Sequence, residues 1–292
     1  MDKDENMIED KIRVRRSLLF VPGLRPDMFL KVLDTDVDVV CIDMEDAVAL
    51  HRKDESRDLT FKLFKEPNET QTEVMLRINP LSTREGLKDL DGLFALSHTP
   101  DALMLPKIKS PEEVRLLDDL LSTESTKSIE FCVIIETNSA LERAIDIARS
   151  CSRVSSMILG AVDMSADLRC QLDWQSLLYV RSRLVHAASS ANIDLLDVPY
   201  LDLSNLDGLK SETEQSNKLG FTGRAAIHPK QIPVINEVFT PTEQEIVRAQ
   251  AICQAFEDSD TGLVVIDGQL IELPVVRSMY RILSIANAGI KG

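Results

Sequence analysis

Short runs of consecutive apolar residues recur along most of the chain. Each is closed by a charged or turn-forming residue and followed by a longer stretch of helical periodicity. Residues 18–21 form the first run, closed by Pro22-Gly23, and Pro26 then opens a helix to about residue 33, as proline's tolerance in a first helical turn allows. A second strand over 37–42 ends in Asp43-Met44-Glu45-Asp46, before a charged amphipathic helix over 51–64. A third, 74–78, carries Arg77 near its end, and 84–96 is helical. The fourth, 102–105, ends in Pro106-Lys107; Ser110-Pro111-Glu112-Glu113 then has the form of a helix start, with Ser at N-cap, Pro at N1 and Glu at N3. The fifth runs into Glu136, a helix covers 139–150, and the sixth, 154–159, leads through Gly160-Ala161-Val162 to Asp163. A helix over 174–191, a strand over 193–198, a helix over 206–219 and a strand over 221–226 complete the alternation.

Strands covered on both faces read as unbroken apolar runs, so eight of them alternating with helices predict an α/β fold, a (β/α)8 TIM barrel over residues 13–240. A doubly wound open sheet is the alternative, but no G-x-G-x-x-G follows the first strand. Residues 241–292 form a C-terminal extension: a helix from the Thr240-Pro241-Thr242-Glu243 start to about 256, a hairpin of 263–266 with 269–271 on an Asp267-Gly268 turn, and a last helix from Pro274. This extension is expected to cap the barrel or a neighbouring subunit.

With 292 residues, 44% of them apolar, the chain can build one large barrel core. A net charge of −15 argues against nucleic acid and anionic membrane surfaces as partners, so an anionic substrate needs local cations or a metal ion. The five cysteines form no C-x-x-C pair and read as buried thiols in a reducing compartment. The charged first sixteen residues contain no apolar signal core, and no run approaches the ~20 apolar residues of a membrane span. A cytoplasmic protein is expected, with residues 1–12 poorly ordered.

In a TIM barrel the chemistry lies at the C-terminal ends of the strands. Those ends here carry Asp43, Glu45 and Asp46, then Arg77, Lys107, Glu136 and Asp163. Taken singly, Asp46, Lys107 or Asp163 fits an ordinary polar loop or helix cap. Glu136 does not, because the five residues before it contain no polar side chain, and Arg77 lies between Leu76 and Ile78. Glu136 and Asp163 follow successive strands of one βαβ unit and so reach the same rim. Two carboxylates with few other ligands suit Mg2+, which keeps several waters and leaves room for substrate oxygens. The four scattered histidines and the absence of H-E-x-x-H argue against zinc, and no G-x-S-x-G appears. A Mg2+ beside an arginine suits stabilisation of an enolate or a keto acid.

Seven segments carry a more specific signal. They are Arg16-Ser17-Leu18-Leu19-Phe20-Val21-Pro22-Gly23, Asp43-Met44-Glu45-Asp46-Ala47-Val48, Leu76-Arg77-Ile78-Asn79, Leu105-Pro106-Lys107, Ile135-Glu136-Thr137, the stretch from Gly160 to Leu168, and that from Gly220 to Pro229. In order and spacing the chain resembles the citrate lyase β-subunit-like enzymes of the aldolase/citrate lyase superfamily, which includes malyl-CoA and citramalyl-CoA lyases. The resemblance implies a Mg2+-dependent carbon–carbon lyase that cleaves a 3-hydroxyacyl-CoA into acetyl-CoA and a 2-keto acid, pyruvate or glyoxylate. It makes Glu136 and Asp163 the metal ligands and Arg77 the partner of the keto acid. Phe20, Arg25 and Lys31 become coenzyme A contacts, although the residues alone would leave Arg25 and Lys31 as surface cations. Glu45 and Asp46 would orient Arg77 or a metal-bound water. The family's tail segment of the D-G-x-M-I-D type, whose last acid serves a neighbouring subunit's site, here reads Asp267-Gly268-Gln269-Leu270-Ile271-Glu272, with Glu in place of Asp. A homo-oligomer, a trimer or hexamer, follows. Alternatives are a citrate lyase β subunit acting on a carrier-bound citryl group, a malyl-CoA thioesterase, and a catalytically silent interaction protein.

Overall fold

The computed structural model describes residues 13–67, 70–122, 126–259, 264–266 and 269–289. Its contacts fall into two units, one spanning Arg15–Asn236 and the other holding residues 13–14 and those from Glu237 onward. The expectation of a poorly ordered start over residues 1–12 lies outside the described residues, as does the Asp267-Gly268 turn.

The first unit is the expected barrel. Its strands are β1 (Ser17–Pro22), β2 (Val39–Asp43), β3 (Glu73–Arg77), β4 (Ala102–Leu105), β5 (Glu130–Ile135), β6 (Val154–Leu159), β7 (Asp194–Asp197) and β8 (Gly223–Ala226). Each pairs in parallel with the next, and β8 closes on β1. Because side chains alternate along a strand, one parity of each strand fills the interior. Leu18, Val39, Cys41, Met75, Ala102, Met104, Cys132, Ile134, Ile158, Leu196 and Ala225 form that core, with Phe20 against it. The same parity continues upward to Asp43, Arg77 and Glu136 and downward to Glu73, Glu130 and Asp194. At the bottom Arg15 meets the three acids that begin β3, β5 and β7, with Nε 2.7 Å from Glu73, Nη2 2.5 Å from Glu130 and Nη1 3.1 Å from Asp194. That is a layer drawn from alternate strands, as barrel geometry demands, with ion pairs in place of aliphatic groups.

The outer ring comprises α1 (Pro26–Val32), α2 (Lys53–Phe61), α3 (Arg84–Phe94), α4 (Pro111–Leu120), α5 (Asn138–Glu142), α6 (Ala144–Ala148), α7 (Ala161–Leu168), α8 (Leu178–Ala191) and α9 (Leu206–Leu219). Thr83, Thr137 and Asn205 cap their helices by accepting a backbone N–H. Ser110 occupies the expected N-cap of α4, with Pro111 after it, but makes no side-chain cap bond. The predicted helix over 139–150 is broken at Arg143 into α5 and α6, and α8 begins at Leu178 rather than Trp174. Helix α7 was not predicted. Its eight residues end at Arg169 in the left-handed region, φ 58°, too short a stretch for periodicity to register. It places Asp163 in a helix's first turn, where a carboxylate is favoured, rather than in a loop.

Helix α10 (Ile232–Phe239) precedes the second unit's α11 (Glu243–Glu257), whose Thr242–Glu245 capping box makes both reciprocal bonds. Strands β9 (Val264–Ile266) and β10 (Gln269–Ile271) pair antiparallel, Ile266 opposite Gln269, and α12 (Leu273–Gly289) follows. Ile252, Cys253, Ile271 and Val276 make this unit's core. All five cysteines are free, with Cys41, Cys132 and Cys253 buried and Cys151 and Cys170 half-buried. No helix among the described residues is long and apolar enough to cross a membrane.

Candidate active site

Two electrostatic clusters stand at the C-terminal mouth of the barrel. The first grows from the β2–β3 register, which sets Asp43 beside Arg77. Arg77 Nε donates to Asp43 Oδ1 at 2.7 Å and Nη2 donates to Oδ2 of the same carboxylate, a two-pronged pair. Arg77 Nη1 lies 3.3 Å from Glu45 and 3.8 Å from Asp46, and the guanidinium sits 5.2 Å from the centre of the Phe20 ring. Asp43 is itself fixed by its own loop, accepting from the Glu45 and Ala47 amides at 2.8 and 3.1 Å. Lys53 Nζ ties the same loop by donating to the carbonyls of Met44 and Glu45 at 2.9 and 2.6 Å. Burial opposes the Arg77 charge, but the Asp43 hydrogen bond and the charges of Asp43 and Glu45 prevail and hold its pKa above the ordinary value. Glu45 goes the other way. Burial lifts its carboxyl to about 7, Arg77 counters, and Asp46 and Asp43 add like charge.

The second cluster joins strands five and six to the end of β4. Glu136 Oε1 accepts the backbone N–H of Lys107 at 2.6 Å. Lys107 Nζ lies 2.7 Å from Asp163 Oδ2 and 3.4 Å from Glu136 Oε2, so one ammonium bridges the two carboxylates. Lys107 adopts φ 54°, a left-handed conformation that is uncommon outside glycine and collects at functional positions. Burial raises the Glu136 pKa and Asp163 adds to the rise, while the Lys107 amide and ammonium oppose it. Gly160 makes the close packing possible: a Cβ there would lie 2.5 Å from Glu136 Cβ and 2.9 Å from its Oε2.

Both clusters face one open pocket of about 540 Å3, whose lining includes the polar Asp43, Asp46, Arg77, Glu136 and Asp163 and the apolar Phe20, Ile134, Ile158, Val162, Val198, Pro199 and Ile227. That volume suits a small organic ligand. Among the described residues no three His, Cys, Asp or Glu side chains converge as a metal-binding group. The donor set is therefore two carboxylates already bridged by a cation, which fits an oxygen-seeking ion that retains waters. Arg25 and Lys31, by contrast, lie on the exposed α1 segment outside the pocket lining and share Asp27, at 2.8 and 3.8 Å. Glu272 belongs to the second unit, where it is exposed just before α12 and its carbonyl accepts the N–H groups of Val275 and Val276. Sequence reasoning gave no role to two residues the geometry singles out. Asp43 is the main partner of Arg77, a pairing visible only once β2 and β3 are placed in register. Lys107 stands among the charged strand ends with no role of its own in the sequence, and no single-strand pattern foretells its bridging position.

A family model described as HpcH/HpaI aldolase/citrate lyase matches residues 16–229, spanning all eight strands. The chain is 31% identical over 288 residues to a citrate lyase subunit beta of Leuconostoc mesenteroides subsp. cremoris, covering 94% of each protein. It is 28% identical to a mitochondrial citramalyl-CoA lyase of Rattus norvegicus, over 94% of this chain and 86% of that one. Among solved structures, CitE from Mycobacterium tuberculosis in complex with magnesium, acetoacetate and coenzyme A superposes with a TM-score of 0.77 at 27% identity, over 94% of this chain and 100% of that one.

Proposed function

The chain belongs to the HpcH/HpaI aldolase/citrate lyase family, and from that premise we propose that it is a Mg2+-dependent carbon–carbon lyase. Its substrate would be a 3-hydroxyacyl-CoA of the citramalyl-CoA or malyl-CoA type, and its products acetyl-CoA and a 2-keto acid, pyruvate or glyoxylate. The observation that carries this reading is the single pocket in which the Glu136–Asp163 carboxylate pair shares one wall system with Arg77. The magnesium, acetoacetate and coenzyme A of the related CitE complex support the choice of metal and ligand class.

Glu136 and Asp163 are the residues that would hold Mg2+. When bound, the ion supplies Lewis-acid polarisation of the hydroxyl oxygen that becomes the keto oxygen. Arg77, kept charged and oriented by Asp43, holds the carboxylate of the departing keto acid and steadies charge on it. Asp46, exposed at the rim beside Arg77, orients that arginine or a water. A base takes the hydroxyl proton, the C–O bond becomes the keto carbonyl, and the C–C bond breaks with its electron pair passing to the acetyl thioester as an enolate. Glu272, reaching in from a neighbouring subunit's 241–292 extension, or a water it positions, returns a proton to the enolate carbon. Phe20, lying under the Arg77 guanidinium, and the cations Arg25 and Lys31 are set aside for coenzyme A, the two cations sharing the single carboxylate of Asp27, which offsets part of their charge.

A second reading has its own support: 31% identity along nearly the whole length of a citrate lyase subunit beta favours a citryl thioester carried on a partner protein and released as oxaloacetate. Incubation with citramalyl-CoA, malyl-CoA and citryl-CoA, with and without Mg2+, separates the two. Release of pyruvate or glyoxylate that depends on the metal is the expected result. Turnover confined to a citryl group would transfer the assignment to the second reading, and no turnover of any of the three would remove the assignment to a free CoA thioester.

A further inference from the structure

Lys107 offers two groups to the carboxylate pair, and they come from different parts of the residue. Its backbone N–H donates to Glu136 Oε1 at 2.6 Å, and its ammonium lies 2.7 Å from Asp163 and 3.4 Å from Glu136. The left-handed backbone at φ 54° turns the amide toward Glu136 while the side chain doubles back over the same acids. A lysine in that conformation is strained relative to glycine, so the position is held by what the residue contacts. Glu136 is buried and packed against Gly160, leaving its carboxylate little freedom to move away. Two like charges this close need a cation between them, and the ammonium provides one.

We infer that the Lys107 ammonium is a resident counter-ion of the Glu136–Asp163 pair, occupying the cation's place in protein stripped of divalent metal and withdrawing when the metal binds. This rests on the proposed role of that pair as metal ligands. The backbone donor to Glu136 is independent of the ammonium and stays in place, so the two contributions of Lys107 separate on substitution. An ammonium and a divalent ion cannot both sit between the same oxygens, because each repels the other at contact distance. Metal affinity in the wild-type protein is therefore reduced by the fraction of molecules in which the ammonium is in place.

Titration of the full-length protein with Mg2+ alone, followed by calorimetry, tests this. Lys107→Met keeps the aliphatic stem and removes the charge; Lys107→Gln is a second neutral variant in case the first folds poorly; Lys107→Arg keeps a cation. The neutral variants should bind Mg2+ roughly tenfold more tightly than wild type. They should also melt at a lower temperature in chelator and gain more from added Mg2+ than wild type does, while Lys107→Arg follows wild type. Weaker or unchanged Mg2+ binding in both neutral variants, with Glu136→Gln abolishing binding, would overturn the counter-ion role and leave the metal site standing. Absence of Mg2+ binding in every protein, wild type included, would overturn the metal site and the counter-ion role together.

Discussion

At the level of single residues, Glu45 is a carboxyl at the barrel mouth whose ionisation is set by its surroundings. Burial raises it from the usual 4.5 to about 7, against the pull of Arg77. A carboxyl raised in the native state binds its proton more tightly there than in the unfolded chain. Its contribution to stability is thus fully present below pH 4.5 and is lost as pH rises through about 7. Glu45→Gln removes that term and keeps the volume. Denaturant unfolding between pH 5 and 8 should show wild type losing stability with rising pH more steeply than Glu45→Gln; parallel curves would mean that Glu45 titrates as an ordinary carboxylate. The arrangement also explains why Asp43, not Glu45, is the principal partner of Arg77. Asp43 is fixed by two amides of its own loop with both oxygens turned to Arg77, whereas among the described residues Glu45 accepts the Asp46 amide at 3.0 Å and lies 3.3 Å from Arg77.

Among the elements, the end of β6 is the tightest join between fold and site. Gly160 has an ordinary backbone, φ −90°, so its need is for space and not for conformational freedom. Gly160→Ala puts a methyl against Glu136 and Ile134. Overpacking of this kind costs about 1–3 kcal/mol in stability. The displaced Glu136 should lower metal affinity and turnover by roughly 10–100-fold, the range found when the support of a metal ligand is disturbed. A variant that melts lower yet binds Mg2+ and turns over like wild type would show that Glu136 does not depend on this packing. The same strand logic shows which parts of the molecule were readable beforehand. Eight apolar runs fixed the barrel because buried parallel strands leave that signature, and the parity of Cys132-Ile134-Glu136 and Met75-Arg77 carried the site residues to the inner face. Helix α7 is not legible in the sequence because about two turns of chain hold too few periods to register, so Asp163 reads there as a strand-end acid and not as part of a helix's first turn. The Asp43–Arg77 pair and the Lys107 bridge escaped because each depends on register between neighbouring strands, and on a left-handed backbone that tertiary contacts impose.

For the molecule as a whole, the open question of chemistry is where the enolate's proton comes from. The barrel pocket supplies cation-binding carboxylates and one arginine: Asp43 pairs with Arg77, Glu136 and Asp163 with Lys107, and Asp46 stands 3.8 Å from the same arginine. The Glu272 proposal provides a further acid, from an exposed position in the second unit and with one methylene more than the aspartate of the family pattern. The proposal that it serves a neighbouring subunit is decided by complementation. Glu136→Gln disables a chain's own barrel and spares its extension; Glu272→Gln spares the barrel and its Mg2+ binding but slows turnover. Each protein alone should be nearly inactive. In randomly mixed oligomers, about one site in four then joins an intact Glu136 from one chain to an intact Glu272 from its neighbour. Co-expressed and purified together, the two variants should recover activity approaching that fraction of wild type. If Glu272 acted on its own chain's barrel, no mixed site would be complete and activity would stay at the level of the separate variants. Recovery therefore establishes both the oligomer and the direction in which the acid is delivered, and it does so without requiring that the natural keto acid be known.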